Sequence, residues 1–105
     1  LDAGETVRGY EVDRRLKERF EQLGCAQYLM HRTGHNIGHR CHGIGANLDD
    51  YETHDDRCLL PGTMFSIEPG LYTDKYGVRL EYDVHITSEG ETKVYGPVQD
   101  EILVI

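Results

Sequence analysis

Near the start of the chain, apolar residues recur at a spacing of mostly four positions, which predicts an amphipathic helix over residues 10–22. The apolar stripe of this helix consists of Val12, Leu16, Phe20 and Leu23. Charged residues, Asp13 among them, occupy the remaining positions. Gly24 stands where a glycine commonly ends a helix, and residues 1–4 are typical of the tail of an earlier helix. We expect the apolar stripe to cover part of a core.

Residues 31–57 are rich in glycine, histidine and aspartate and show no sustained periodicity. They are therefore predicted to form loops and short extended pieces, which is where functional residues are often found. The acidic positions within residues 47–56 do not have the spacing of a calcium-binding loop, so we interpret them as an acidic surface loop.

From residue 63 onward the pattern alternates with a period of two, which predicts strands. The first alternating stretch ends at Glu68, because Pro69 and Gly70 interrupt it. The longest alternation covers residues 78–87 and predicts one strand with an apolar face and a charged face. Its apolar positions are Val78, Leu80, Tyr82, Val84 and Ile86.

The end of the chain adds two further strand predictions. Residues 88–91 are typical of a hairpin turn leading into a strand at residues 92–95. Residues 102–105 are all apolar, which predicts a strand covered on both faces. The whole pattern predicts an α+β fold, in which an amphipathic helix packs on a mostly antiparallel sheet.

Length and charge restrict the classes of protein to consider. With 105 residues the chain is expected to be one domain, and its net charge of −8 disfavours nucleic acid and anionic membrane surfaces as partners. No apolar run approaches the roughly 20 residues of a membrane-spanning helix. The three cysteines include no Cys-x-x-Cys pair, which favours reduced thiols and a cytoplasmic location.

Four of the six histidines fall within twelve positions of the predicted loop segment, at His31, His35, His39 and His42. Histidines four positions apart can bind a metal from one helix face, but the glycines between them argue against a helix here. Surface histidines in a loop, able to trap metal without specificity, are one interpretation. For Glu81, a solvated sheet face with cross-strand ion pairs is the corresponding alternative to a metal ligand.

Four separate segments occur in the order and at the spacing of a known family of enzymes. Residues 31–38, 42–43, 60–72 and 77–84 resemble the metallopeptidases of the aminopeptidase P, prolidase and methionine aminopeptidase group. The motifs Glu-Pro-Gly-Leu-Tyr and Gly-Val-Arg-Leu-Glu are closer to those of the Xaa-Pro enzymes within this group. Creatinase-like relatives, which share the fold, are an alternative. The resemblance implies the second half of a pita-bread catalytic domain, in which two aspartates, one histidine and two glutamates hold two divalent ions.

By this resemblance, three residues of the chain correspond to metal ligands. His35 matches the ligand histidine, Glu68 the first ligand glutamate and Glu81 the second glutamate, which bridges both ions. Arg79 matches an arginine beside the bridging glutamate, and Asp83 is expected to support the same group. Mainly oxygen ligands favour manganese, with cobalt, zinc or iron as alternatives. Cys41 is interpreted as a thiol without a ligand role, because such a set does not require sulfur.

The resemblance also implies catalytic residues and a substrate. Glu68 is expected to move a proton from the nucleophile to the leaving amine, and His42 to stabilise the oxyanion. His31 matches a further histidine of the substrate pocket. The implied substrate is a peptide with proline in the second position.

The two aspartates of the family have no match in the chain, because they belong to the first half of the domain. We therefore expect the 105 residues to bind at most one ion weakly and to have little or no peptidase activity alone. The missing N-terminal half, or a second copy of the chain, is the expected protein partner. A non-catalytic module that binds a peptide or protein partner is the alternative function.

Overall fold

The computed structural model describes residues 6–102 and residue 104. Helix α1 spans Gly9–Gln22, one residue longer at its start than predicted. Gly24 has a φ of +76°, a left-handed conformation that glycine adopts without strain. Its N–H and that of Cys25 bond back to the carbonyls of Glu21 and Phe20, which is a Schellman motif ending the helix as predicted. The helix proposed for residues 1–4 lies outside the described residues.

All strand pairs in the described part of the chain are antiparallel. The strands are β1 (Asn36–Ile37), β2 (Met64–Ile67), β3 (Gly70–Tyr72), β4 (Gly77–Arg79), β5 (Tyr82–Ile86) and β6 (Thr92–Tyr95). They form a four-stranded sheet in the order β1-β2-β5-β6 and a separate β3-β4 hairpin. The predicted α+β class is confirmed. Within the same described residues, no helix combines the length and the apolar character needed to cross a bilayer.

The strand predicted over residues 78–87 is in fact two strands, separated at Leu80 and Glu81. The register on either side of the break is continuous, because Ile67 pairs with Tyr82 and Gly70 pairs with Arg79. The interruption lies opposite Glu68 and Pro69, the two residues between β2 and β3. Proline has no N–H to donate to a ladder, so the sheet hydrogen bonds stop there.

The hydrophobic core lies on one face of the four-stranded sheet and is small. Its buried members are Leu48, Leu59, Phe65, Val84 and Ile86. Val78 and Leu80, predicted to share the core face, are 53% and 41% exposed because they belong to the separate hairpin region. Ile102 and Val104 are also exposed and lie in no strand, so the predicted terminal strand is wrong at those positions. Leu103 and Ile105 lie outside the described residues.

Helix α1 is packed through a different part of its surface than its apolar stripe suggests. Val12 packs against the core, but the stripe mainly lines an open groove of about 630 Å³, and Leu23 is 59% exposed. The side chain of the helix that is most deeply buried belongs to Asp13. The helix is therefore held to the rest of the fold largely by polar contacts.

The Asp13 carboxylate joins α1 to two loop segments. One oxygen accepts hydrogen bonds from the backbone N–H and the hydroxyl of Thr33, at 2.9 and 2.6 Å. The other accepts the backbone N–H of Asp50 at 2.7 Å. Thr33 lies two residues before His35, so this contact also fixes the segment that carries a candidate ligand.

We expect Asp13→Ala to lower the free energy of unfolding by about 2–4 kcal/mol, because it leaves buried donors without an acceptor. Urea denaturation measures the change. Glu18→Ala, at an exposed position of the same helix, is the matched control and should change stability by no more than about 0.5 kcal/mol. Equal effects of the two substitutions would contradict this role for Asp13.

The segment interpreted as an acidic surface loop is partly buried. Asp49 is 1% and Asp55 5% exposed. The Asp55 carboxylate accepts a hydrogen bond from the backbone N–H of Asn47 at 2.8 Å. It also forms an ion pair with Arg57 at 2.7 Å. These contacts, first of all the side-chain hydrogen bond from Arg57, lower the pKa of Asp55 to about 2.

A lowered pKa makes Asp55 a source of acid sensitivity. Its contribution is complete above the unfolded-state pKa and is lost as the pH falls from about 4 through about 2. We expect that loss to be on the order of 2 kcal/mol. Comparing the unfolding free energy of the natural chain and Asp55→Asn across this range measures it. A difference between the two proteins that does not shrink at low pH would contradict it.

Candidate metal centre

Three predicted ligands meet where the sheet ladder is interrupted. Continuing the register of β2 and β5 by one residue places Glu68 opposite Glu81. On the other side of β2, the N–H of Glu68 donates to the Thr33 carbonyl, and the N–H of Ser66 donates to the His35 carbonyl. Residues opposite or two positions apart across an antiparallel pair share a face. His35, Glu68 and Glu81 therefore point to one side of the sheet.

The donor atoms of these three residues all lie within 4.8 Å of one another. His35 is buried, Glu68 is half-buried and Glu81 is exposed, so the cluster opens towards solvent on the Glu81 side. The Nε2 atom of His35 lies 3.3 Å from Oε2 of Glu68. Its Nδ1 atom lies 3.1 Å from the backbone carbonyl of Asn36. A carbonyl only accepts, so Nδ1 carries the proton and Nε2 is the ring nitrogen that faces the carboxylates.

Burial and the closeness of the two glutamates make it unfavourable for both carboxyl groups to be ionised. The pKa of Glu81 is raised, first by loss of hydration and then by the neighbouring carboxylate of Glu68. The charge of Asp83 adds to the increase, whereas the guanidinium of Arg79 opposes it. Both residues that were expected beside Glu81 thus act on it electrostatically. Carboxylates held together in this way are a suitable place for a cation.

His42 lies against His35, the candidate ligand histidine. The ring centroids of His42 and His35 are 4.1 Å apart and their planes are tilted by 36°. His42 itself is exposed. The resemblance implies that both residues belong to one site, and the fold of the loop places their rings in contact.

His31 lies outside the described clusters of possible ligands. Its Nε2 atom is 2.7 Å from the hydroxyl of Tyr72 on β3, and its Nδ1 atom is 2.8 Å from the carbonyl of Arg32. Nδ1 therefore carries the proton, and the Tyr72 hydroxyl donates to Nε2. No local sequence pattern pairs Tyr72 with His31, because the contact depends on the β3-β4 hairpin.

A second group of possible ligands was missed by the sequence analysis. Donor atoms of His35, Cys41 and His42 also lie within 4.8 Å of one another. Cys41 was interpreted as a thiol without a ligand role because the oxygen-rich set does not need it. Ser66, which is fully buried, was likewise missed as the acceptor of the His35 N–H at 3.1 Å.

The ligand segment lies unusually close to β2. A Cβ atom added to Gly34 would lie 1.8 Å from the backbone carbonyl oxygen of Ser66, so only glycine fits beside His35. At Gly38, the nearest atom to an added Cβ is 3.5 Å away.

We expect Gly34→Ala to lower the free energy of unfolding by about 1–3 kcal/mol or more, because two backbone segments must separate. Gly38→Ala, which meets only ordinary contacts, should stay within about 1 kcal/mol of the natural chain. Chemical denaturation of both variants provides the comparison. If Gly34→Ala were as stable as Gly38→Ala, the close approach would be wrong.

Comparison with known proteins identifies the family and the fold of this chain. Residues 3–88 match the model of metallopeptidase family M24. The probable dipeptidase PepE of Mycobacterium bovis is 36% identical over 90 residues, which cover 84% of this chain and 23% of that protein. The Xaa-Pro dipeptidase of Pyrococcus furiosus is 32% identical and is likewise covered over 23% of its length. A solved Xaa-Pro dipeptidase from Bacillus anthracis superimposes with a TM-score of 0.80 at 32% identity, over 95% of this chain and 27% of that one.

The chain belongs to metallopeptidase family M24 and has the pita-bread fold of its prolidase relatives. The predicted resemblance is confirmed at this level. The chain spans about a quarter of the length of the relatives it matches.

Proposed function

We propose that this chain supplies half of the catalytic domain of a metal-dependent peptidase that cleaves peptides with proline in the second position. The observation that carries the proposal is the convergence of His35, Glu68 and Glu81 on one face of the sheet. Relatives described as Xaa-Pro dipeptidases support the substrate class.

The donor set fits a divalent cation of the first transition series. One imidazole nitrogen and two carboxylates favour manganese, with cobalt, iron or zinc as alternatives. His35 is oriented for this role because its Nδ1–H bonds to the Asn36 carbonyl, which leaves Nε2 as the ring nitrogen available to an ion. When bound, divalent ions supply activation of water and polarisation of the scissile carbonyl.

The side chains around the cluster have separate tasks in this proposal. Glu68 takes the proton of the attacking water and delivers it to the leaving amine, because its half-buried carboxylate is beside the cluster. His42, exposed and lying against the ring of His35, donates to the oxyanion of the substrate. His31, oriented by its hydrogen bond with Tyr72, lines the substrate pocket.

The remaining parts of the site are proposed to come from outside these 105 residues. Two aspartates would complete the five-ligand set, so the chain alone would hold at most one ion weakly. The open apolar groove along α1 would be covered by the other half of the catalytic domain, or by a second copy of the chain. All three cysteines are unpaired, which is consistent with a cytoplasmic location.

Titration with Mn²⁺ by calorimetry tests the ligand assignment. We expect His35→Ala and Glu81→Gln each to weaken binding by roughly tenfold or more, because each removes a direct ligand. Glu89→Gln, which removes an exposed carboxylate of the turn before β6, should leave the affinity unchanged. Equal weakening by Glu89→Gln would indicate non-specific attraction to an acidic chain.

Hydrolysis of an Xaa-Pro dipeptide tests the catalytic assignment. The chain alone should show little turnover, and joining it to the first half of a homologous catalytic domain should restore turnover in a Glu68-dependent manner. Robust hydrolysis by the 105 residues would refute the half-domain proposal. Restored metal binding without any hydrolysis would instead favour a non-catalytic binding module.

A further inference from the structure

The loop after β1 brings a sulfur ligand to the ligand histidine. The donor atoms of His35, Cys41 and His42 lie within 4.8 Å of one another, and no sulfur belongs to the carboxylate cluster. We propose that these three residues form a second binding site, for a thiophilic divalent cation such as Zn²⁺ or Cd²⁺. The site overlaps the carboxylate cluster at His35.

The shape of the loop is held by its own backbone. The N–H of Gly43 donates to the carbonyl of Asn36 at 2.9 Å, and the N–H of Gly38 donates to the carbonyl of Arg40 at 3.0 Å. A Cβ atom on Gly43 would lie 2.2 Å from the Asn36 side-chain oxygen, so the loop at Gly43 folds back closely onto β1. This return places His42 on the ring of His35.

The three donors suit a tetrahedral ion with little movement. Tetrahedral zinc with Zn–N near 2.0 Å and Zn–S near 2.3 Å separates its ligand atoms by roughly 3.3–3.7 Å. The present separations, all under 4.8 Å, therefore need to close by about an ångström. Cys41 and His42 are exposed and can make that adjustment.

The donor chemistry separates this site from the carboxylate cluster. A thiolate with two imidazoles favours Zn²⁺ and Cd²⁺ over Mn²⁺, whereas one imidazole with two carboxylates accepts Mn²⁺ readily. The choice of cation therefore decides which of the two sets is used.

The two sets compete for one lone pair. Because Nδ1 of His35 is committed to the Asn36 carbonyl, Nε2 is its only ligand atom. An ion held by Cys41 and His42 takes that atom away from Glu68 and Glu81. Under the proposed function the thiophilic site would therefore be inhibitory, since it removes His35 from the set that binds the hard cation and occupies His42, the proposed donor to the oxyanion. Binding at this second site requires only the ligand geometry, whereas its inhibitory effect rests on the proposed function.

Cadmium titration followed by ultraviolet absorption tests the proposal, because a cadmium–thiolate bond produces its own charge-transfer band. We expect the band in the natural chain, in Glu81→Gln and in Cys25→Ser, which keeps the same number of thiols as Cys41→Ser. Cys41→Ser should lose the band and bind Cd²⁺ roughly tenfold or more weakly. Persistence of the band in Cys41→Ser, or its equal loss in Cys25→Ser, would overturn the proposal.

Competition distinguishes overlapping sites from independent ones. In the natural chain preloaded with Mn²⁺, added Cd²⁺ should release Mn²⁺, which the electron paramagnetic resonance signal of the free ion detects. Cys41→Ser should bind Mn²⁺ like the natural chain but release it only at roughly tenfold higher Cd²⁺. Binding of both ions together would refute the shared use of His35. Failure of Mn²⁺ to bind would weaken the proposed function while leaving the thiolate band as a separate test.

Discussion

The antiparallel register between β2 and β5 is the constraint on which both the core and the site depend. It pairs Phe65 with Val84 on the buried side and, one step beyond its last ladder pair, sets Glu68 opposite Glu81. A slip of one residue would turn every side chain to the other face. Burial of Phe65 and Val84 therefore stabilises the same register that assembles the ligands, so the hydrophobic effect positions groups that repel one another.

Pro69 interrupts the hydrogen bonding of that register beside the candidate ligands. Because it has no N–H, the ladder stops at the level of the two glutamates and resumes in the β3-β4 hairpin with the same register. Backbone hydrogen bonding holds the chain on both sides of the gap. The carboxylates thus lie at fixed positions in a short stretch that is not itself part of a strand.

Helix α1 buries a charged side chain while much of its apolar surface stays open to solvent. Its Asp13 carboxylate is fully used as an acceptor for Thr33 and Asp50, while most of its apolar stripe borders an open groove. Buried polar groups with all partners in place fix orientation strongly, because any other arrangement leaves donors without acceptors. This partly exposed stripe is consistent with a chain that spans about a quarter of the length of its relatives and with the proposed cover from the rest of the catalytic domain.

His35 is the point at which several interactions meet. Its N–H bonds to Ser66, its Nδ1–H bonds to the Asn36 carbonyl, and its remaining lone pair faces two different sets of donors. One set is rich in oxygen and the other contains sulfur. Because the His35 ring is held in place, the other ligands of each set decide which cation binds. Cys41 is therefore the residue on which the proposed inhibitory site depends.

The sequence by itself determined the local elements and the family. Helix α1 and strand β2 follow from periodicities of 3.6 and two, strand β6 follows from the hairpin turn before it, and four motifs in order select His35, Glu68 and Glu81 as candidate ligands. Tertiary structure decided what no local pattern encodes. It split the strand at Leu80 because a proline lies across from it, buried Asp13 because distant backbone donors converge there, and brought Cys41 and Tyr72 to histidines through loop closure and hairpin pairing. Periodicity reports which face of an element is apolar, whereas contacts between segments far apart in the chain depend on the register and turns that join them.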